Sequence, residues 1–209
     1  MTANPATDHD IHRATPGDVD LLAGMVARAF HDLPVSSWLV PDPAHRRRVL
    51  TADFAMLIAH ALDAGEVHTT ASMLGVAVWL PADPTPPLDI PDYDQRLARI
   101  AGEHLSRFRQ FDATLRLAHP STIAHSYLQL LAVEPGHHNR GVGTALLDHA
   151  HRRLDAAQLP AYLEASSLDS ARLYRRHGYQ PYGPPIVLGE RAAEMYPMWR
   201  PPRQAPATR

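Results

Sequence analysis

Apolar residues recur at helical spacing at Val19, Leu22, Met25, Val26 and Ala29. Thr15-Pro16-Gly17-Asp18 just before them reads as a helix start, with Thr15 as N-cap, Pro16 at the first helical position and Asp18 in the first turn. The pattern predicts a second helix from Ala44 to Ala64. It predicts a third from Tyr93 to Ala118, with Leu97, Ile100, Ala101, Leu105 and Phe108 on one stripe. Glu66–Ala71 and Leu74–Leu80 read as two strands about a turn at Ser72-Met73. The second is apolar throughout and reads as buried on both faces. Further on come a strand (Ser126–Val133) stopped by Glu134-Pro135-Gly136, a helix from about Gly141 to Gln158 and a strand (Ala161–Ala165). A short helix (Ser170–His177) and a final strand (Ala193–Arg200) close the order.

Pro81 to Pro91 holds five prolines in eleven residues, which predicts a loop or a lid. Residues 1–9 and 201–209 read as flexible tails around one domain spanning 10–200. Strands and helices mixed in this order, without an internal repeat, give an α/β or α+β domain.

Composition narrows the chemistry. The chain of 209 residues is 45% hydrophobic and 20% charged, the balance of a globular domain with a sizeable core. It contains no cysteine, which excludes a disulfide scaffold, a thiol nucleophile and a thiolate metal site. All 20 basic residues are arginine; without lysine there is no Schiff-base chemistry and no Walker P-loop. A net charge of −2 argues against nucleic acid as partner. The start lacks a basic region followed by an apolar run, and no segment is apolar enough to span a membrane. A cytoplasmic location is expected, as a monomer or homodimer.

The informative segment runs from Leu130 to Leu147: a hydrophobic strand, a tight turn, then a glycine-containing loop opening a helix. The first N–H groups of a helix have no internal partner and carry partial positive charge. Gly141 and Gly143 have no side chain to keep a phosphate from those groups, so the segment has the chemistry of a pyrophosphate cradle. Small Gly-x-Gly turns also serve simply to join strand to helix. A dinucleotide fold is disfavoured, because the loop is late in the chain, lacks a third glycine and has no repeated βαβ pattern around it.

His138-Asn139-Arg140-Gly141-Val142-Gly143 resembles the acetyl-coenzyme A loop of the GNAT superfamily of N-acetyltransferases, Gln/Arg-x-x-Gly-x-Gly/Ala, with His138 in place of the first Gln or Arg. Tyr162-Leu163-Glu164-Ala165-Ser166, Leu173-Tyr174-Arg175-Arg176-His177-Gly178-Tyr179 and Met198-Trp199-Arg200 are similar to later segments of that superfamily. The Leu-Glu-Ala-Ser stretch is similar to its puromycin N-acetyltransferase-like branch. The specific likeness covers about 126–200. It implies a GNAT-like, mostly antiparallel central sheet flanked by helices, with strands splayed at the acetyl-CoA site. It further implies an acetyl-CoA-dependent N-acetyltransferase acting on a primary amine of a small molecule by direct attack in a ternary complex. A non-catalytic acyl-CoA-binding sensor on the same fold is the alternative.

Acetyl transfer to an amine needs a proton acceptor for the ammonium, a donor for the oxyanion and a proton for the leaving thiolate. The resemblance places Tyr174 as the acid for the thiolate and Glu164 as the catalytic base. Glu164 sits between apolar Leu163 and Ala165, so burial would raise its pKa toward a useful range, whereas exposure on a strand face would leave it ordinary. Backbone groups of Leu131 and Val133 are expected to pair with the pantetheine arm, with the Val133 N–H as oxyanion donor, and Ala132 between them is counted among the cofactor-binding residues. His138, Asn139, Arg140, Gly141, Val142, Gly143 and Thr144 form the loop contacts, and Ser170 stands where the superfamily often has a cofactor-binding asparagine. Arg175 and Arg176 read as solvated charge or phosphate contacts. Glu134 reads as a turn residue or a holder of water, and His125 as a further candidate base. His137 and His138 are adjacent, their side chains diverge, and no metal site is expected. Phe30, Trp38, Tyr127 and the proline-rich segment are candidates for lining an acceptor pocket.

Overall fold

The computed structural model describes residues 10–82 and 90–203. One mixed sheet runs in the order β1-β2-β3-β4-β5-β8-β6, with β7 paired to the first half of β8. Its strands are β1 (Ile11–Arg13), β2 (Glu66–Thr70), β3 (Gly75–Ala82), β4 (His125–Val133), β5 (Ala161–Ala165), β6 (Gln180–Pro181), β7 (Ile186–Leu188) and β8 (Ala193–Arg200). The β4–β5 pair is parallel and the other pairs are antiparallel. The helices are α1 (Val19–Ala29), α2 (Pro34–Leu39), α3 (Pro43–Ala64), α4 (Tyr93–Ala101), α5 (Leu105–Ala118), α6 (Val142–Ala156) and α7 (Leu168–Arg176).

The pattern of β3 decides how the layers lie. Val76, Val78 and Leu80 belong to one hydrophobic core, with α1, α3 and α5. Ala77 and Trp79 belong to another, with α6 and α7. An apolar residue at every position from 75 to 80 therefore reflects a strand covered on both faces, as the sequence predicts.

On β4 this alternation breaks. Tyr127, Leu130 and Ala132 face the first core and Leu128 the second, so the parity changes between 127 and 130. The cause is a register shift: Val78 lies opposite Leu130 but Trp79 opposite Leu128, leaving Gln129 as an extra residue. Beyond this bulge β4 leaves β5, to which it is paired only at Ser126 and Tyr127. The splay expected between these strands is present. In antiparallel pairing alternate residues turn their N–H and C=O groups to the partner. The Glu134 N–H reaches Leu74 O at 2.9 Å, so Ala132 faces β3 while Leu131 and Val133 point their backbone groups into the gap.

Several expectations need correction. Pro81 and Ala82 continue β3 rather than opening a loop. Edge-like pairing of Pro81 with Ser126 at the strand's end tolerates the missing N–H, and the rest of the loop or lid expectation, 83–89, lies outside the described residues. The single helix expected over Tyr93–Ala118 is two. Gly102, at φ +53°, ends α4, and a 3-10 turn (Gly102–His104) leads into α5. The expected tail 201–209 begins as bound chain: the Arg203 N–H donates to Asp155 Oδ1 at 2.8 Å, beside the paired Arg200–Asp155. The tail 1–9 lies outside the described residues. The short strands β1, β6 and β7 and helix α2 carry too few residues for a periodic signal. No helix among the described residues is long and apolar enough to cross a membrane.

Candidate active site

Where β4 parts from β5, a cavity of about 920 Å³ opens. Leu131, Ala132, Val133, His138, Asn139, Gly141, Val142, Gly143, Thr144, Ser170, Tyr174 and Glu164 all line it. Arg140, Glu134, His125, Arg175 and Trp38, also singled out from sequence, are not on its wall, and Arg140 is exposed.

Gly141 takes φ +84°, a left-handed conformation suited to glycine, and turns the chain into α6. As N-cap it offers no side chain, so the Val142, Gly143 and Thr144 N–H groups are uncapped at the positive end of a 15-residue helix. Gly143 differs. A Cβ there would meet Leu173 and Val133 at 3.7 and 3.8 Å, ordinary contacts, so the protein itself has no steric need for glycine. The missing side chain leaves open space in the cavity beside the helix end, a cradle that suits close approach of a phosphate group.

His138 and Ser170 have protein partners. His138 Nε2 lies 3.2 Å from Val133 O, and because a carbonyl only accepts, Nε2 carries the proton. Ser167 caps α7: its hydroxyl accepts from the Ser170 N–H at 3.1 Å, and the Ser170 hydroxyl donates to Ser167 O at 2.9 Å. Glu134 forms a two-bond pair with Arg28 at 2.9 and 2.8 Å, tying α1 to the turn after β4.

Glu164 is the most perturbed acid on the donor side of the cavity. Its side chain is 2% exposed. Burial raises its pKa to about 7, against the opposing pull of the Tyr127 hydroxyl. Tyr127 donates to Oε2 at 2.9 Å, while Oε1 has no hydrogen-bond partner among the described residues. His119 Nδ1 stands 4.0 Å from Oε1. The histidine tautomers follow from their partners. His125 Nδ1 is 2.7 Å from Ile123 O and must carry the proton, so its Nε2 accepts from His119 Nε2 at 3.1 Å. His119 Nδ1 is then a bare acceptor facing Glu164. Burial lowers the pKa of His119 to about 4, so it is neutral. His125 lies behind His119 and does not reach the cavity wall.

Tyr174 is 7% exposed, packs edge-on against Tyr179, and makes no side-chain hydrogen bond among the described residues. Burial raises its pKa, so the hydroxyl stays protonated.

The same cavity continues away from the glycine loop into a chamber between α1, α3, α4 and α5, lined by Phe30, Phe54, Tyr93, Phe108 and Phe111, with Asp53 and Asp112 among them. Of the acceptor-side residues named from sequence, Phe30 and Tyr127 are on the wall and Trp38 is not. Asp53 and Asp112 escape sequence reading. The signal was an aspartate inside an apolar helical run, Ala52-Asp53-Phe54-Ala55-Met56, and one four residues after Phe108 on the core-facing stripe of α5.

The chain is similar to known proteins. Residues 107–181 match the family model described as the acetyltransferase (GNAT) domain. The whole chain resembles a crystal structure described as histone acetyltransferase HPA2 and related acetyltransferase from Corynebacterium glutamicum. The two are 28% identical with a TM-score of 0.71, over 95% of this chain and 98% of that one. The chain has the GNAT acetyltransferase fold. More distant structures share the GNAT fold. Arylalkylamine N-acetyltransferase 2 from Aedes aegypti is 12% identical over 92% of this chain and 98% of that one, with a TM-score of 0.60. A GCN5-related N-acetyltransferase from Rhodopseudomonas palustris is 15% identical over 91% and 94%, with a TM-score of 0.54.

Proposed function

We propose that the protein is an acetyl-CoA-dependent N-acetyltransferase that modifies a primary amine of a small molecule by direct attack in a ternary complex. The observation that carries this reading is that one cavity joins the glycine-lined start of α6 to a buried carboxylate, Glu164, poised near neutral pH. Acetyl-CoA, when bound, supplies the acetyl thioester. Gly141, Val142, Gly143 and Thr144 offer N–H groups to its phosphates, and Leu131 and Val133 offer the free edge of β4 to its pantetheine arm. Ala132, His138, Asn139, Arg140 and Ser170 complete the surrounding wall and rim.

Glu164 takes the proton of the acceptor ammonium on its carboxylate, which belongs to the cavity wall. The free amine then attacks, a C–N bond forms, and the C–S bond breaks with its electron pair going to sulfur. The Val133 N–H, turned into the gap, is the donor for the carbonyl oxygen. Tyr174 presents its hydroxyl proton to the departing sulfur, and the second proton, lost by nitrogen as the amide forms, passes to solvent while solvent reprotonates the tyrosine. The assignment of Glu164 also rests on the likeness of Leu163-Glu164-Ala165-Ser166 to the puromycin N-acetyltransferase-like branch.

The test is release of free coenzyme A thiol from acetyl-CoA in the presence of an amine library, with products identified by mass spectrometry. The cysteine-free chain contributes no thiol background. Thiol release with an acetylated amine is the expected result. Acetyl-CoA binding without turnover across the library would instead make the protein an acyl-CoA sensor.

A further inference from the structure

Asp53 is 8% exposed and has no hydrogen-bond partner among the described residues, although it lines the cavity. A buried carboxylate without a donor is costly unless a cation reaches it. Asp112, from α5, lies close enough for the two charges to repel, and accepts from the Tyr93 hydroxyl at 2.9 Å. Among the described residues, the basic side chains on the cavity wall are His137, His138 and Arg176, all on the glycine-loop and α7 side. The other charged groups acting on Asp112 are Asp94 and Arg116.

The reacting nitrogen already has a carboxylate of its own, Glu164, and must be neutral when it attacks. A nitrogen held between carboxylates stays protonated. The Asp53–Asp112 pair therefore suits a different nitrogen from the one acetylated. The ring walls around it suit an alkylammonium, through burial of its methylenes and attraction of the charge to aromatic faces.

We propose that Asp53 and Asp112, walled by Phe30, Phe54, Phe108 and Tyr93, form a cation subsite for a second ammonium group, so that the acceptor is a linear diamine. The identity of the acetylated nitrogen rests on the acetyl-transfer reading; the cation subsite does not. Burial and the nearby Asp112 raise Asp53 to a pKa of about 7, so the empty site is partly protonated at neutral pH, and an arriving ammonium displaces that proton.

The experiment is calorimetric binding of linear α,ω-diamines, from the three-carbon to the eight-carbon member, against n-alkylamines of matching length. It is run at pH 7 in two buffers of different ionisation enthalpy. The expected result is a diamine, at one or more lengths, binding about 10–100-fold tighter than its monoamine, with net proton release. Asp53→Asn brings that ratio near one and lowers the proton release. Asp112→Asn, melted alongside to confirm folding, narrows the ratio as a second check. Equal binding of diamines and monoamines by the wild-type protein, or a ratio unchanged in both variants, overturns the cation subsite. A diamine preference that depends on Asp53, without coenzyme A release, upholds the subsite and overturns the transfer reading.

Discussion

The two ends of the cavity are built from different materials. The glycine-loop end uses main chain: uncapped N–H groups at the start of α6 and the outward backbone of Leu131 and Val133. The chamber end uses side chains, Asp53 on α3, Tyr93 on α4, Asp112 and Phe108 on α5, and Phe30 just after α1. Main-chain groups are the same whatever the residue, so that end suits a ligand of fixed shape. Side chains can be exchanged without disturbing the sheet, so the proposed function puts acceptor choice in the chamber. Glu164 and Tyr174 stand between the two.

The contrast is broken most severely at its centre. Glu164→Gln keeps size and removes the base, so kcat at pH 7 should fall by about 10²–10⁴-fold with partial recovery at high pH, while acetyl-CoA affinity holds. In the wild type, kcat/KM should rise as pH increases through about 7, the region where Glu164 loses its proton, and the variant should lack that inflection. Steady-state kinetics across pH, with calorimetry for the cosubstrate, check both. A normal rate in the variant would remove Glu164 from the mechanism.

Tyr174→Phe should lower kcat by about 10²-fold, the small end of general-acid effects, because burial makes this phenol a weaker acid. The ring packing is kept, so a loss of cosubstrate affinity instead would mark it as a wall residue. On the main-chain side, Gly143→Leu should weaken acetyl-CoA binding by about tenfold or more by calorimetry while the fold survives, since space in the cavity accepts the side chain. Unchanged affinity would detach the loop from cosubstrate binding.

The last effect concerns stability, and its sign is opposite to the functional losses. Asp53 has a raised folded-state pKa, so the advantage of the neutral form is present below about pH 4 and is lost as pH rises through about 7. Asp53→Asn cannot acquire the buried charge. It should therefore be more stable than wild type at pH 8, by on the order of 4 kcal/mol at most, and show no such gain at pH 4. A lower melting point at both pH values would show that Asp53 has a structural partner.

The same contrast explains what the sequence made legible. The strand–loop–helix from Leu130 to Leu147 and the apolar β3 are continuous in the chain, and each predicts its place. The chamber is assembled from four helices whose residues are far apart in sequence, and an aspartate in an apolar stripe carries no sign of what it faces. Gly102 was visible, but only its positive φ reveals the break between α4 and α5. Gln129 shows no sign at all of being the bulged residue; the shift becomes readable when Tyr127 and Leu130 are seen on one face.

The short β4–β5 pairing also has a mechanical consequence. β1–β4 form one leaf and β5, β8, β6 another, hinged at Ser126–Ala161 and Tyr127–Tyr162. Any extended molecule lying along the Leu131 and Val133 edge acts as a removable rib across the open end. Seating it would stiffen both leaves together, and the amides of β5 and the far end of β4 would exchange with deuterium as one unit instead of two.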